Sequence, residues 1–227
     1  MKLRILNSVI VYFLIIYIIS NSKLLSLFLS IVFTLLFSKQ KLLPLLLSYY
    51  LISSWIEWFL HKYLMHEFAA NDHSHKIHHL LVVPNMNLIK KDELNATDFS
   101  WKMLFIITSV TFITSFYYFY KMYNIKPSVH FVTILGCIFL ISMIWNNLHN
   151  AMHCQDLTST IFYGPPSIIS KETARSLPWF DTLYSHHYLH HVVKKPKGNF
   201  NIVLLGMDKL MGTEVDEQHE IYFNKCD

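Results

Sequence analysis

Apolar residues gather into five long runs along the chain, roughly Leu3–Ser20, Leu24–Phe37, Leu42–Leu60, Met103–Tyr120 and Val129–Asn147. A helix rises about 1.5 Å per residue, so crossing a hydrocarbon core of about 30 Å takes about 20 residues. The third, fourth and fifth runs approach that length and are predicted to span a membrane. The first two are shorter and break at 21–23, which predicts a tight helical hairpin that crosses only in part. The opening MKLR ahead of an apolar run resembles a signal sequence, but no small-residue cleavage site follows, so an uncleaved first span is expected. In the polar C-terminal part, Tyr163 to Pro166 reads as a turn and Ser170 as the cap of a short helix ending before Pro178. Trp179 to about Val193 reads as an amphipathic helix, and Lys194 to Gly198 as an exposed basic loop.

Composition sharpens this picture. The 227 residues are enough for one domain; 53% are hydrophobic, 15% charged and only five are glycine. Globular domains carry about a quarter charged residues, so the balance points to a membrane protein. The net charge of +4 suits a membrane surface and gives no support for a nucleic-acid partner. Cys137, Cys154 and Cys226 are odd in number and widely spaced, so neither a disulfide framework nor a CxxC metal knuckle can be drawn from them.

Histidine is the anomaly. Of fourteen in the chain, twelve fall within 61–79, 149–153 and 186–191, a total of thirty positions that an even spread would give about two. The first window opens where the third run ends, and the second arrives as the fifth ends. Two crossings between them put both on one membrane face, and the third window follows without another span. The clustered histidines can therefore meet. Lysine and arginine in short loops divide almost evenly between the two faces; the cytosol is the expected side for the histidines. A cytosolic loop would leave the sequon at Asn95 unglycosylated.

The spacing suits metal ligation. HKIHH (His75, His78, His79) and HYLHH (His187, His190, His191) each place imidazoles at i, i+3 and i+4, on one helix face. His149 and His153, at i and i+4, do the same. His61 and His66 are five apart, about 140° round a regular helix, so one needs a helix end or a local distortion to join. Ten ligands are too many for one ion; two six-coordinate ions would take five each and keep one position open. A structural zinc site closes at four. An open, nitrogen-rich site suits iron and dioxygen activation, with zinc also compatible with the spacing. His73, His130, His186 and His219 lie outside the pattern and read as surface or polar-network residues, with His73 and His186 adjacent enough to support ligands. Cys154 follows His153 and reads as a small buried residue, a thiolate ligand being the alternative. Glu57, one helical turn before His61, is costly at that depth unless paired, and a hydrogen bond to the His61 imidazole would account for it; the alternative is solvation at headgroup level. Asp72, Asp156 and Asp181 are weaker candidates of the same kind.

With HKYLMH, HKIHH, HNAMH and HYLHH in view, the chain from about Ser48 to Thr213 resembles the membrane-bound fatty acid hydroxylase superfamily, which includes sterol desaturases, sterol methyl oxidases and carotene hydroxylases. HKYLMH and ELNATDF look like the carotene hydroxylases, whereas NFNIVLLGMDKLMGT looks like the fatty acid and sterol branch. The resemblance implies an all-α integral membrane bundle of about four to five spans, with cytosolic helices carrying a di-metal, normally di-iron, centre. Residues 1–41 would be a membrane hairpin, 42–213 the catalytic domain and 214–227 a tail. It implies an O2-dependent oxidoreductase that hydroxylates a fatty acyl, sterol or carotenoid substrate drawn from the bilayer; Glu57, singled out above by its depth and its spacing to His61, is the carboxylate expected at the catalytic site. Electrons would come from a reductase, ferredoxin or cytochrome b5, and the endoplasmic reticulum or its equivalent is the expected membrane. A desaturase is the nearest alternative, and a membrane metal-binding or metal-transport protein the alternative of another class.

Overall fold

Each apolar run becomes a helix in the computed structural model, which describes residues 2–20, 22–36, 42–70, 74–88, 98–155, 161–193, 197–215, 221 and 226. The helices are α1 (Lys2–Ser20), α2 (Lys23–Leu36), α3 (Leu42–Phe59), α4 (Ser74–Leu81), α5 (Trp101–Tyr123), α6 (Pro127–Met152), α7 (Lys171–Arg175), α8 (Phe180–Val192) and α9 (Met207–Met211). A π-helical turn, Leu60–Glu67, continues α3 without a break. The protein is an all-α bundle, with no named strand among the described residues.

Four helices are long and apolar enough to cross a membrane: Leu3–Ser20, Leu42–Glu67, Trp101–Tyr123 and Pro127–Met152. The first run thus reaches spanning length, whereas α2, with 14 residues, does not. The helices of the third and fifth runs, α3 with its π-helical turn and α6, run further than their apolar runs, so His61, His66 and His149 sit on the ends of continuous helices.

Lipid offers no hydrophobic gain for packing apolar helices together, so small and polar residues hold the interfaces. Hydroxyls of Ser48, Thr111, Ser115 and Ser142 each donate to the carbonyl four residues back, which lets them lie buried in an apolar setting. Phe105, Ile113 and Val132 face outward. At one end of the bundle Tyr123 hydrogen-bonds the Ser48 hydroxyl (2.7 Å) and accepts from Asn7 Nδ2 (2.8 Å), tying α5 to the starts of α1 and α3. At the other end Lys209 donates to the Ile18 carbonyl (2.7 Å), supplying a partner that the end of α1 cannot find within its own helix. α1, α3 and α6 therefore run toward the end that carries the histidines, and α5 runs away from it.

Around that end, three asparagines of α6 fix the loops. The Asn146 side chain accepts from the Phe99 amide (2.9 Å) and donates to the Pro165 carbonyl (2.7 Å). Asn147 Oδ1 accepts from the amides of Ile168 and Ile169, and Asn150 donates to Asp98. As the sequence predicts, Ser170 caps α7 by accepting from the Thr173 amide (3.2 Å), and α8 begins after Trp179.

Candidate metal centre

Five residues separate His61 from His66, and the π-helix resolves that spacing. Its i→i+5 bonding, seen in the Phe68 amide donating to the Tyr63 carbonyl (2.7 Å), brings residues five apart onto one face. The two rings lie 5.1 Å apart between centroids.

All ten motif histidines meet, in two sets of five. His61, His66, His75, His79 and His190 form one; His78, His149, His153, His187 and His191 form the other. Within each set the candidate ligand atoms lie within 4.8 Å of one another. Each HxxHH motif divides: its first and last histidines serve the set of its own half of the chain, and its middle one crosses over. The sets are thus related by exchange of the two halves, His66 corresponding to His153, His78 to His190 and His79 to His191. That is why the pattern is written twice.

The geometry within a set is that of a coordination sphere. Nε2···Nε2 separations are 2.9 Å for His61 and His75, 3.1 Å for His66 with His75 and with His190, and 3.0 Å for His153 and His187. Ligands about 2.1 Å from one ion lie about 3.0 Å apart at right angles and about 3.4 Å apart in a tetrahedron. Right angles fit. The His66 ring is 4.7–5.1 Å from each of the other four in its set, whereas His75 and His190 are 6.4 Å apart across it. His153 is likewise 4.6–5.1 Å from its four neighbours. Each set is a square pyramid with His66 or His153 at the apex.

The donor chemistry also suits a cation. Nδ1 of His61 donates to the Phe200 carbonyl (2.6 Å), that of His190 to the Gly198 carbonyl (2.7 Å) and that of His153 to the Met86 carbonyl (2.7 Å). With the proton on Nδ1, each Nε2 presents a lone pair to its set. Nε2 of His78 is buried with no hydrogen-bond partner among the described residues. Burial and the neighbouring imidazoles hold His75, His78, His79, His187, His190 and His191 well below 6.5, and burial lowers His153 to about 4. The rings are therefore neutral, as ligation requires. The histidine groups could hold metal ions.

Other candidates fare differently. Glu57 is buried, not solvated at headgroup level, and does not take up the His61 proton; that place belongs to the Phe200 carbonyl. The Glu57 oxygens instead accept from the amides of Ile202, Val203 and Leu204 and from the Asn201 side chain. Cys154 is neither a ligand nor a free thiol, because it forms a disulfide with Cys226, 72 residues away. Both sequence readings of Cys154, a small buried residue and a thiolate ligand, are thereby corrected. His130 is buried between the Tyr49 and Ser115 hydroxyls, both at 2.9 Å. His186 faces Asp208 (3.2 Å), and Asp181 is exposed at the start of α8. His73, Asp72, Asn95, Asp156 and His219 lie outside the described residues. The carbonyls of Met86, Gly198 and Phe200 could not have been picked out, since every residue has one.

Toward the bundle interior, Trp145 stacks on His149 (5.0 Å, 12°) and meets His61 edge-on (5.8 Å). Beside it lies a narrow, largely apolar cavity of about 20 Å³, lined by Ile56, Leu60, Ile107, Ile138 and Ile141 and also by Glu57, His61 and Trp145. Compared with protein-family models, curated proteins and solved structures, the chain finds no match.

Proposed function

We propose that the protein is a membrane non-haem di-iron oxygenase of the fatty acid hydroxylase type, acting on a lipid. The observation that carries this reading is the pair of five-histidine square pyramids seated on an apolar cavity among the spans. Right-angled nitrogens favour iron over tetrahedral zinc, and the five imidazoles of each set would hold one ion while leaving room for a non-protein ligand. Two bound irons would supply dioxygen activation.

The chain's own residues do the rest. The carbonyls at 86, 198 and 200 hold three imidazoles in the ligating tautomer. Ile56, Ile107 and Ile138 would give an aliphatic chain a dry wall once the narrow cavity between them opened to admit it, and Trp145 lines the same cavity in contact with His61 and His149. Hydroxylation and desaturation share this arrangement; hydroxylation is the product we favour. A transporter would need free ligands along the spans. Glu57 and His130 are both fully engaged, which weighs against it. Electrons would come from a reductase, ferredoxin or cytochrome b5; the expected cytosolic histidine face, in the endoplasmic reticulum or its equivalent, stands against the Cys154–Cys226 disulfide, which favours an oxidising compartment.

The test is lipid profiling of a host expressing the protein against one expressing the His78→Ala, His79→Ala variant, which damages both sets at once. An oxidised lipid present only with the wild type supports the reading. Identical profiles, with wild-type protein that carries two irons and is supplied with reductant, would sink it.

A further inference from the structure

Four polar or ligating residues of the third span, Tyr50, Ser54, Glu57 and His61, follow one helical stripe, and all four contact a single segment. Tyr50 donates to the Leu205 carbonyl (2.6 Å), Ser54 to that of Leu204 (2.6 Å) and His61 to that of Phe200 (2.6 Å). Glu57 receives three amides. Its Oε1 accepts from Ile202 (3.0 Å) and Val203 (2.7 Å), and its Oε2 from Leu204 (2.8 Å). The two amides before these go to a second buried carboxylate, Asp208, which accepts from Phe200 (2.9 Å) and Asn201 (2.7 Å). Five successive amides, 200 to 204, are thus received by two buried carboxylates. Asp208 is fixed in turn by the Thr213 hydroxyl (2.7 Å) and by His186 (3.2 Å), and its own amide donates back to Asn201 Oδ1 (3.1 Å).

A segment held this way has little freedom to move its carbonyls. The Phe200 carbonyl orients His61, and the Gly198 carbonyl, two residues before the five held amides, orients His190; both imidazoles belong to the His66 set. The His153 set draws its carbonyl from Met86, on a different loop. The geometry points to Glu57 and Asp208 as paired positioning residues that hold the segment 198–204 as an orienting strap for one metal set and not the other. This rests on the histidine sets being metal sites. It also gives the Glu57 carboxylate a role without contact with a ligand: it fixes backbone whose carbonyl fixes the imidazole. Ligand-orienting partners typically contribute about 10–100-fold to metal affinity.

The experiment uses Co(II) as a spectroscopic probe bound to the full-length protein in detergent, with affinity measured by chelator competition. In a His153→Ala background, which leaves the His66 set intact, Glu57→Gln is expected to weaken Co(II) binding about 10–100-fold and to alter its ligand-field bands. In a His66→Ala background, which leaves the His153 set intact, the same change should leave affinity and bands as they were. Asp208→Asn is the second variant, acting at the other end of the strap, and should give the same asymmetry if Glu57→Gln fails to fold. Equal weakening of both sets would overturn the inference, since the strap would then be supporting the fold as a whole. Unchanged affinity at the His66 set would overturn it too. Wild-type protein that binds no Co(II) would instead refute the metal reading beneath it.

Discussion

His79 and His191 face each other across the boundary between the two sets, their ring centroids 4.1 Å apart and their planes inclined by 32°. Each is the last histidine of its HxxHH motif, and each stays with its own half of the chain. The middle histidines, His78 and His190, cross to the other set. Neighbours in sequence therefore serve different sites. His75→Ala and His78→Ala, three residues apart, should each lower bound iron from two ions per chain toward one, but at different sets. Combining His75→Ala with His190→Ala, from one set, should leave one ion. Combining His75→Ala with His187→Ala, from both sets, should leave none. Elemental analysis after a chelator wash decides it, and one ion remaining in the second pair would break the assignment.

The depressed histidine pKa values set a pH window. His153 falls from 6.5 to about 4 on folding, and six other ligands are lowered in the same direction, all by burial first. Between these values the unfolded chain binds protons that the folded one does not, so stability is complete above about 6.5 and is lost as pH falls. His153 alone would contribute up to about 3 kcal/mol. The thermal midpoint of metal-free protein should drop steadily from pH 7 to pH 5. Bound metal should be retained at pH 5.5, where an exposed histidine tract would already be protonated and releasing it. Release centred near pH 6.5 would show that the rings are not buried in solution.

Much of this centre could be read in the sequence, and the physical reasons for the remainder are specific. Helical periodicity was enough to put the three imidazoles of HKIHH on one face, because i, i+3 and i+4 depend only on local geometry. Their division between two sets depends on where α4 and α8 cross, which no local pattern encodes. The His61–His66 spacing announced a distortion without saying that it would be a π-turn. Glu57 was rightly singled out as an acid too deep to stand alone, but a carboxylate there has both an imidazole and a backbone segment within reach, and three amides outcompete one ring. Nothing in the NFN…DKLMGT pattern marks Asp208 as the second carboxylate, because its partners are backbone amides that any residue supplies. The pairing of Cys154 with Cys226 left no trace in a chain with three scattered cysteines.

That disulfide yields its own prediction. It closes a loop of 72 residues beside His153, for which loop-closure entropy alone implies about 4 kcal/mol. Cys226→Ser should lower the thermal midpoint under non-reducing conditions and leave metal content unchanged, because the Cys154 sulfur is not a ligand. Loss of metal together with the bond would reverse that statement.

The bond also bears on sidedness, since disulfides persist in oxidising compartments and are rare in the cytosol. A cytosolic histidine face requires Asn95 to stay unglycosylated in a eukaryotic host. It also requires Cys154 to be captured as a thiol when cells are alkylated before lysis. A glycan on Asn95 together with an intact disulfide would move the face to the lumen and leave the two histidine sets as they are.

His130 separates a ligand from a buried bystander. It lies in the first turn of α6, and His149 in the last, so about 28 Å of helix stands between them. Its ring stacks on Phe119 (4.5 Å), and its two nitrogens bind the hydroxyls of Tyr49 and Ser115. Replacing it with alanine removes a buried partner from both hydroxyls, although Ser115 keeps its bond to the Thr111 carbonyl, and opens a void between α3, α5 and α6. Losing buried hydrogen bonds costs about 1 kcal/mol each and the void adds to that, so His130→Ala should be clearly less heat-stable. It should still carry two irons per chain and retain most activity per folded molecule. His219→Ala should be close to wild type in both respects. His149→Ala and His153→Ala should invert the pattern, losing nearly all activity and one ion. A product assay normalised to folded protein, run beside elemental analysis, tests the series. If the His149 and His153 variants proved as active as His219→Ala, the second set would not belong to the catalytic centre and the proposed reaction would have to be abandoned.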